Sequence, residues 1–321
     1  MAKPRKLEDF IALLQVARAE PTSEASLNSL QTVLGSKYGV AVAKAAELIG
    51  QLELRPLIPQ LEAAFDRFLV DGVELDPGCR AKRAIAEALY RLGASNETLF
   101  LQGIRCIQME PVWGGRQDTA PPVRNVSALA LVQMHYSLVM VELADLLADP
   151  EPEARIGAAR AIAYASHDQG VPLLRLRVKV GDTPPVLCEC LIALLALSPE
   201  TSLPLVKQFL ERSNVDSPEA IAQAEVAALA LGESRLPAAF DLLTTWWQTL
   251  RSTQLRQSGL LAISTLRQPA AIQFLLVLVA EGNRQDASAA LKALQIHRQD
   301  AALWQRVVQT VDQREDIRLQ L

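Results

Sequence analysis

Apolar residues recur along this chain at helical rather than strand spacing, in short Ala/Leu-rich blocks separated by polar breaks. Eight such blocks stand out: AAELIGQL (45–52), IAEALYRL (85–92), SALALVQM (127–134), AARAIAYA (158–165), CLIALLAL (190–197), AEVAALAL (224–231), GLLAISTL (259–266) and SAALKALQ (288–295). Their ends are 29–42 residues apart, a period that marks a repeat architecture. A second amphipathic segment follows each block after a short break, from RPLIPQLEAAFDRFL to DAALWQRVVQTV. Several of these carry proline near the start (Pro56, Pro172, Pro204, Pro237, Pro269). The first helical turn tolerates proline because its N–H groups have no intrahelical partner, so these residues predict helix starts. The unit is therefore helix A, polar turn, helix B, tight turn. One such pair cannot bury its apolar side alone, and stacked pairs shield each other. The expected fold is all-α: a right-handed α-solenoid of about eight stacked antiparallel helix pairs. Residues 1–25 are expected to form an N-terminal cap with a helix over 7–19, residues 26–311 the solenoid, and residues 312–321 a solvated tail.

One turn has a fuller signature. Asp149-Pro150-Glu151-Pro152-Glu153-Ala154-Arg155 leads into the Ala-rich helix that begins at Ile156. A basic residue recurs ten positions before the end of a B block as Lys82, Arg124, Arg155 and Arg256, whereas Val42, Leu187, Ile221 and Gln285 stand there in the other blocks. This pattern resembles the HEAT-repeat family, and within it the bacterial short-repeat type of the phycobilisome lyases. The resemblance covers about residues 26–311 and implies an armadillo-type fold. It bears weakly on function, because such scaffolds host very different tasks. Arg124 and Arg155 follow the acidic turn residues Asp118 and Asp149, so an inter-repeat ladder of charges is expected at those turns.

Composition narrows the classes. Of 321 residues, 50% are hydrophobic, only 5% aromatic and 21% charged, which excludes a disordered chain and disfavours a β-sandwich or barrel. The net charge of −4 comes with no basic stripe, and the one basic cluster is Lys3, Arg5 and Lys6. Nucleic acid is therefore not an expected partner, and a DNA-binding helical-repeat glycosylase is a remote alternative. No apolar run reaches the ~18–20 residues needed to span a bilayer, and the first residues do not read as a signal peptide, so no membrane contact and a cytoplasmic location are expected. Cys79, Cys106, Cys188 and Cys190 read as free thiols, and His135, His167 and His297 are scattered at turns, so no metal and no cofactor are assigned. The chain has no P-loop, GxGxxG, HExxH, CxxC or GxSxG motif. No catalytic residue is assigned, and the chain is read as not an enzyme.

Deviations from the repeat point to function. The two long spacings place extra residues in adjacent A-to-B turns, over 69–80 and 109–123, and these turns should be neighbours because every A-to-B turn leaves a solenoid on one edge. That edge gathers Glu74, Asp76, Glu110, Trp113, Arg116 and Asp118. A Trp followed by two glycines is unusual in so aromatic-poor a chain. One reading is a recognition patch; the other is a Trp folded back over the solenoid with Arg116 and Asp118 paired locally. The inner B-helix surface is a second candidate, with Arg83, Glu87, Tyr90, Arg91, Gln133, Arg160 and Tyr164. Trp246 and Trp247, adjacent on a helix, should differ in burial. The function expected is a non-enzymatic scaffold or adaptor that binds a protein partner through this surface and edge. The alternative is a phycobilin-lyase-like or chaperone-like protein acting on a tetrapyrrole-carrying or other protein substrate. The oligomeric state stays open.

Overall fold

In the computed structural model, residues 7–20, 23–214 and 217–314 are described. The basic arm at residues 3–6 and most of the expected C-terminal tail lie outside them. Every A and B segment forms a helix, and each B block precedes its A partner in the chain.

The chain divides into two compact units, Met1–Ala165 and Ser166–Leu321. The first holds α1 (Leu7–Ala19), α2 (Glu24–Leu34), α3 (Gly39–Gln51), α4 (Ile58–Val70), α5 (Gly72–Leu75), α6 (Arg80–Leu92), α7 (Glu97–Ile104), α8 (Pro121–Gln133), α9 (Val139–Leu147) and α10 (Pro152–Ala165). The second holds α11 (Gly170–Val180), α12 (Pro184–Leu197), α13 (Pro199–Glu211), α14 (Pro218–Ser234), α15 (Pro237–Thr249), α16 (Thr253–Thr265), α17 (Pro269–Glu281), α18 (Arg284–Leu294) and α19 (Ala301–Asp312). Each unit is an α-solenoid of stacked helical hairpins.

Within the first unit the B helices α3, α6, α8 and α10 pack in succession, while the A helices meet one another far less. The second unit repeats this with α12, α14, α16 and α18. Small residues make the close B-to-B approach possible. A Cβ on Gly50 of α3 would lie 3.1 Å from the Ala88 Cα of α6, and one on Gly232 of α14 would lie 2.5 Å from the Ala262 carbonyl oxygen of α16. A recurring left-handed residue stops the B helices: Glu53, His135, Ser166, Arg235 and Arg267 have φ of 51–55°, and Gly93 has φ 66°. Six of the eight B-to-A turns are thus built from one backbone conformation and a variable side chain, whereas α12 ends at Ser198 with φ −148° and α18 at Gln295 with φ −59°.

Three expectations need correction. Pro204 does not start a helix; α13 begins one turn earlier at Pro199 and runs through it. Trp246 and Trp247 do not differ in burial. Both are buried, because the indole N–H of Trp246 donates to the Leu210 carbonyl (3.1 Å) and that of Trp247 to the Arg256 carbonyl (3.1 Å). Neither long turn is an irregular loop. The first contains α5, and the second folds as a β-hairpin, β1 (Met109–Val112) against β2 (Gly115–Asp118), the only sheet among the described residues.

Substituting Gly232 tests the stacking distance. Gly→Ala inside a helix ordinarily stabilises by about 1 kcal/mol. Here the added methyl meets backbone, and Gly232→Ala should destabilise the chain by about 1–3 kcal/mol in urea unfolding. A gain in stability would show that α14 and α16 do not approach this closely.

Candidate functional site

The site is the edge formed by the two long turns of the first unit, and it is built from the start of each B helix outward. Helix α6 begins with unpaired N–H groups, and the Asp76 carboxylate accepts from two of them, Ala81 (2.7 Å) and Lys82 (3.0 Å). The Lys82 ammonium then turns back onto Asp76 at 3.2 Å, with both side chains 1% exposed. It also donates to the Gln108 side-chain oxygen at 2.7 Å and the Phe68 carbonyl at 3.3 Å.

Gln108 carries the connection into the next repeat. Its amide nitrogen donates to the Asp76 carbonyl (2.9 Å) and the Glu110 carboxylate (2.6 Å), and its backbone N–H donates to the Asp118 carboxylate (2.9 Å). Asp118 also accepts from the Ala120 N–H at 3.0 Å, and Arg124 pairs with it at 2.6 Å. Arg124 further donates to the Cys106 carbonyl (2.6 Å) and reaches Asp149 of the following turn (3.0 Å). Arg155 donates to the Asp149 and Pro150 carbonyls at 2.6 and 2.8 Å. The expected charge ladder is present, and it extends one repeat further toward the N-terminus than Arg124 and Asp118 suggested. The missed signal was spacing: in each of the pairs 76/82, 118/124 and 149/155 an aspartate precedes the cation by six residues. Nothing in the sequence singles out Gln108.

The two long turns are neighbours, as expected. The Gly78 N–H donates to the Glu110 carboxylate at 2.6 Å, and the Thr119 hydroxyl donates to the same oxygen at 2.7 Å. The predicted edge residues divide into two groups. Asp118 and Asp76 are buried in the ladder, so they hold the frame and do not offer a contact surface, which corrects Asp118 as a surface candidate. Glu110 is half-buried and joins the turns. Trp113 and Arg116 project. Trp113 occupies the two-residue tip of the hairpin with Gly114, whose φ of 92° the turn requires, and it is completely exposed at 103%. It does not fold back over the solenoid. Arg116 does not pair with Asp118; its guanidinium donates to the Met109 carbonyl at 3.0 Å. Val70, Val73, Ile107 and Val112 are exposed apolar neighbours in sequence that the expected list lacked.

Tyr90 of α6 lies near enough to Tyr164 of α10 for the two side chains to interact, and Tyr164 is exposed. Burial first, and then the interaction with Tyr164, raise the Tyr90 pKa. Arg83 and Glu87 form an exposed i,i+4 pair at 2.8 Å, and Arg160 is exposed. Glu87 and Arg91 line a groove with Glu47 and Gln51 between α3 and α6. Burial pushes the Cys79 and Cys188 thiols up to about 11, so neither is a ready thiolate at neutral pH. His297 is more than a solvated turn residue, since its Nε2 lies 3.1 Å from both the hydroxyl and the carbonyl of Ser264. Among the described residues no helix is long and apolar enough to cross a membrane.

No family model and no curated protein matches the chain. Among solved structures, it is similar to human deoxyhypusine hydroxylase in complex with glycerol, at 16% identity and a TM-score of 0.30, over 83% of this chain and 92% of that one. It is also similar to the complex of CpcE and CpcF of phycocyanin lyase from a Nostoc species, at 17% identity and a TM-score of 0.37, over 92% and 96% of the two chains. One of these is a hydroxylase and the other a lyase. The expectation that the chain is not an enzyme rested on missing motifs alone and is withdrawn. A repeat fold can assemble a site from residues on separate helices, and no linear motif would report it.

The ladder gives this edge a pH signature. Burial works to raise the Asp118 pKa, but the Gln108 and Ala120 N–H groups and Arg124 outweigh it and hold the carboxyl below its usual range. For Glu110 burial is likewise outweighed, by hydrogen bonds from Gln108, Thr119 and the Gly78 N–H and by the Lys82 charge. A lowered folded pKa means that this stabilisation is complete above the unfolded value of about 4 and is lost as pH falls through the folded value. Urea unfolding should therefore show these contributions intact at pH 7 and fading below about pH 4. Asp118→Asn should be less stable at pH 7 and lose less on acidification. A variant that tracks the wild type at every pH would contradict this account.

Proposed function

We propose that the chain is a protein-recognition unit of HEAT-like repeat build, capped over 1–25 and stacked over 26–311, that works in the cytoplasm and grips its partner at the edge formed by 69–80 and 109–123. The observation that carries this reading is the full exposure of Trp113 on a hairpin whose base is locked by buried charges. A free Trp indole in water is costly unless something covers it. Burying its ~150–250 Å² is worth several kcal/mol, and Trp and Arg are the residue types that most often dominate interface energy. Arg116 lies next to it on a strand. Glu110 supports the hairpin from behind. Arg83, Glu87, Tyr90, Arg160 and Tyr164 supply a second surface on the inner face, suited to an extended part of the same partner.

The second reading is a lyase-like or chaperone-like protein that acts on a tetrapyrrole-carrying or other protein substrate, as the sequence resemblance implies. The observation that favours it is Tyr164, exposed on α10, with Tyr90 of α6 near enough to interact with it. Adding bilin and following its absorbance separates the readings: a shift that is lost in Tyr90→Phe/Tyr164→Phe supports the second, and no shift removes it.

The primary test is capture of partner from a lysate of the source organism by the immobilised chain. Trp113→Ala combined with Arg116→Ala should reduce capture at least tenfold while leaving the circular dichroism and thermal midpoint unchanged. Equal capture by wild type and variant would refute the edge as the contact.

A further inference from the structure

Resting on the protein-recognition reading, we propose that the hairpin takes its partner by strand addition: an extended, carboxylate-bearing segment of the partner protein pairs with the outer edge of β2 along Gly115–Gln117.

Register shows which edge is open. The Thr119 N–H donates to the Gln108 carbonyl at 3.0 Å, which makes Met109↔Asp118 and Pro111↔Arg116 the pairs that exchange no hydrogen bonds. The backbone groups of these residues point away from the hairpin. On β1 that edge is closed: Pro111 has no N–H, and the Arg116 guanidinium covers the Met109 carbonyl at 3.0 Å. On β2, no other described residue bonds the N–H or carbonyl of Arg116, and residues 115–117 are exposed. An open strand edge beside a closed one fixes where a third strand can join.

Gly115 is the second observation. Its φ is outside the left-handed region, and a Cβ built on it would meet nothing within 4 Å. Neither the turn nor packing within the chain requires glycine there, in contrast to Gly114 with its φ of 92°. A glycine in a strand with no internal reason marks a place where another backbone comes close. A two-stranded hairpin is also marginal in water, and a third strand completes it.

The chemistry of the segment follows from Arg116. Its described partner is a neutral carbonyl, so the cation has no carboxylate of its own on the strand. The residue opposite Arg116 on an added strand shares its face, and a carboxylate there satisfies the guanidinium. Trp113 at the tip covers an apolar side chain at the end of the same segment.

The test uses the full chain and a displayed library of random twelve-residue peptides, followed by the strongest binder as a synthetic peptide. The consensus should hold an Asp or Glu within a run of alternating apolar residues. Methylation of its alternate backbone amides should weaken binding at least tenfold at the paired positions and leave the intervening ones nearly unchanged. Gly115→Val should cost at least tenfold in affinity at an unchanged thermal midpoint, since the added side chain meets nothing in the chain itself. Arg116→Gln should remove the acidic preference. Binding that requires Trp113 but ignores both amide methylation and Gly115→Val would overturn strand addition while leaving the edge as the contact. Selection of no Trp113-dependent peptide would also overturn it, and the lysate capture would then judge the recognition reading separately.

Discussion

A buried cation facing a buried aspartate at the start of each of two consecutive B helices is the constraint on which the recognition edge depends. Asp76 accepts from the Ala81 and Lys82 N–H groups that begin α6, Asp118 accepts from the Ala120 N–H just before α8, and a carboxylate held that far from water needs a positive partner. Lys82 and Arg124 provide it, and each has donors left over for the neighbouring turn. Such pairs add little net stability compared with apolar residues of the same size, but removing one partner costs about 3–5 kcal/mol. Their contribution is to geometry. The turns can hold only those positions in which every buried charge is satisfied.

The hairpin is the consequence. Two strands of four residues would not stay folded alone in water. Here the ladder holds both ends of the hairpin: the backbone N–H of Gln108 precedes β1, and Asp118 ends β2. In the second unit the same device appears without an insertion. Arg256 pairs with Asp286 at 2.9 Å and lies 3.9 Å from the Trp247 ring, and the intervening turn is short. A cation at this helix position thus reaches the aspartate of the following turn in both units, and in the first unit one elongated turn makes the clamp a pedestal.

Helical period, block spacing and turn composition made the fold legible, because in a stacked array each helix is determined by its own amphipathic pattern and its immediate neighbours. Proximity of the two long turns was legible for the same reason. The hairpin was not. Met-Glu-Pro-Val and Gly-Arg-Gln-Asp show no sustained alternation of apolar and polar residues, since neither face of this ribbon is a core face; hydrogen bonds within its own turn and from the adjacent repeat hold it instead. The fate of the acidic residues was only half legible. Asp118 and Glu110 look alike in a turn, yet one is buried under Arg124 and the other joins two turns, and that difference depends on the position of Gln108. Adjacent tryptophans at 246 and 247 misled because periodicity describes two faces, whereas a helix between two layers has more than two buried directions.

The separation between clamp and tip has a functional consequence. Trp113 is fully exposed, the side chain of Arg116 bonds the Met109 carbonyl rather than a ladder carboxylate, and a Cβ on Gly115 would meet nothing within 4 Å. The ladder fixes where the hairpin stands; the tip and open strand edge fix what it can hold. Substitutions at the tip can alter partner preference with little effect on folding, and substitutions in the ladder alter folding first. A surface of this type is tuned without disturbing its support, which is what a repeat scaffold needs if one architecture is to serve many partners.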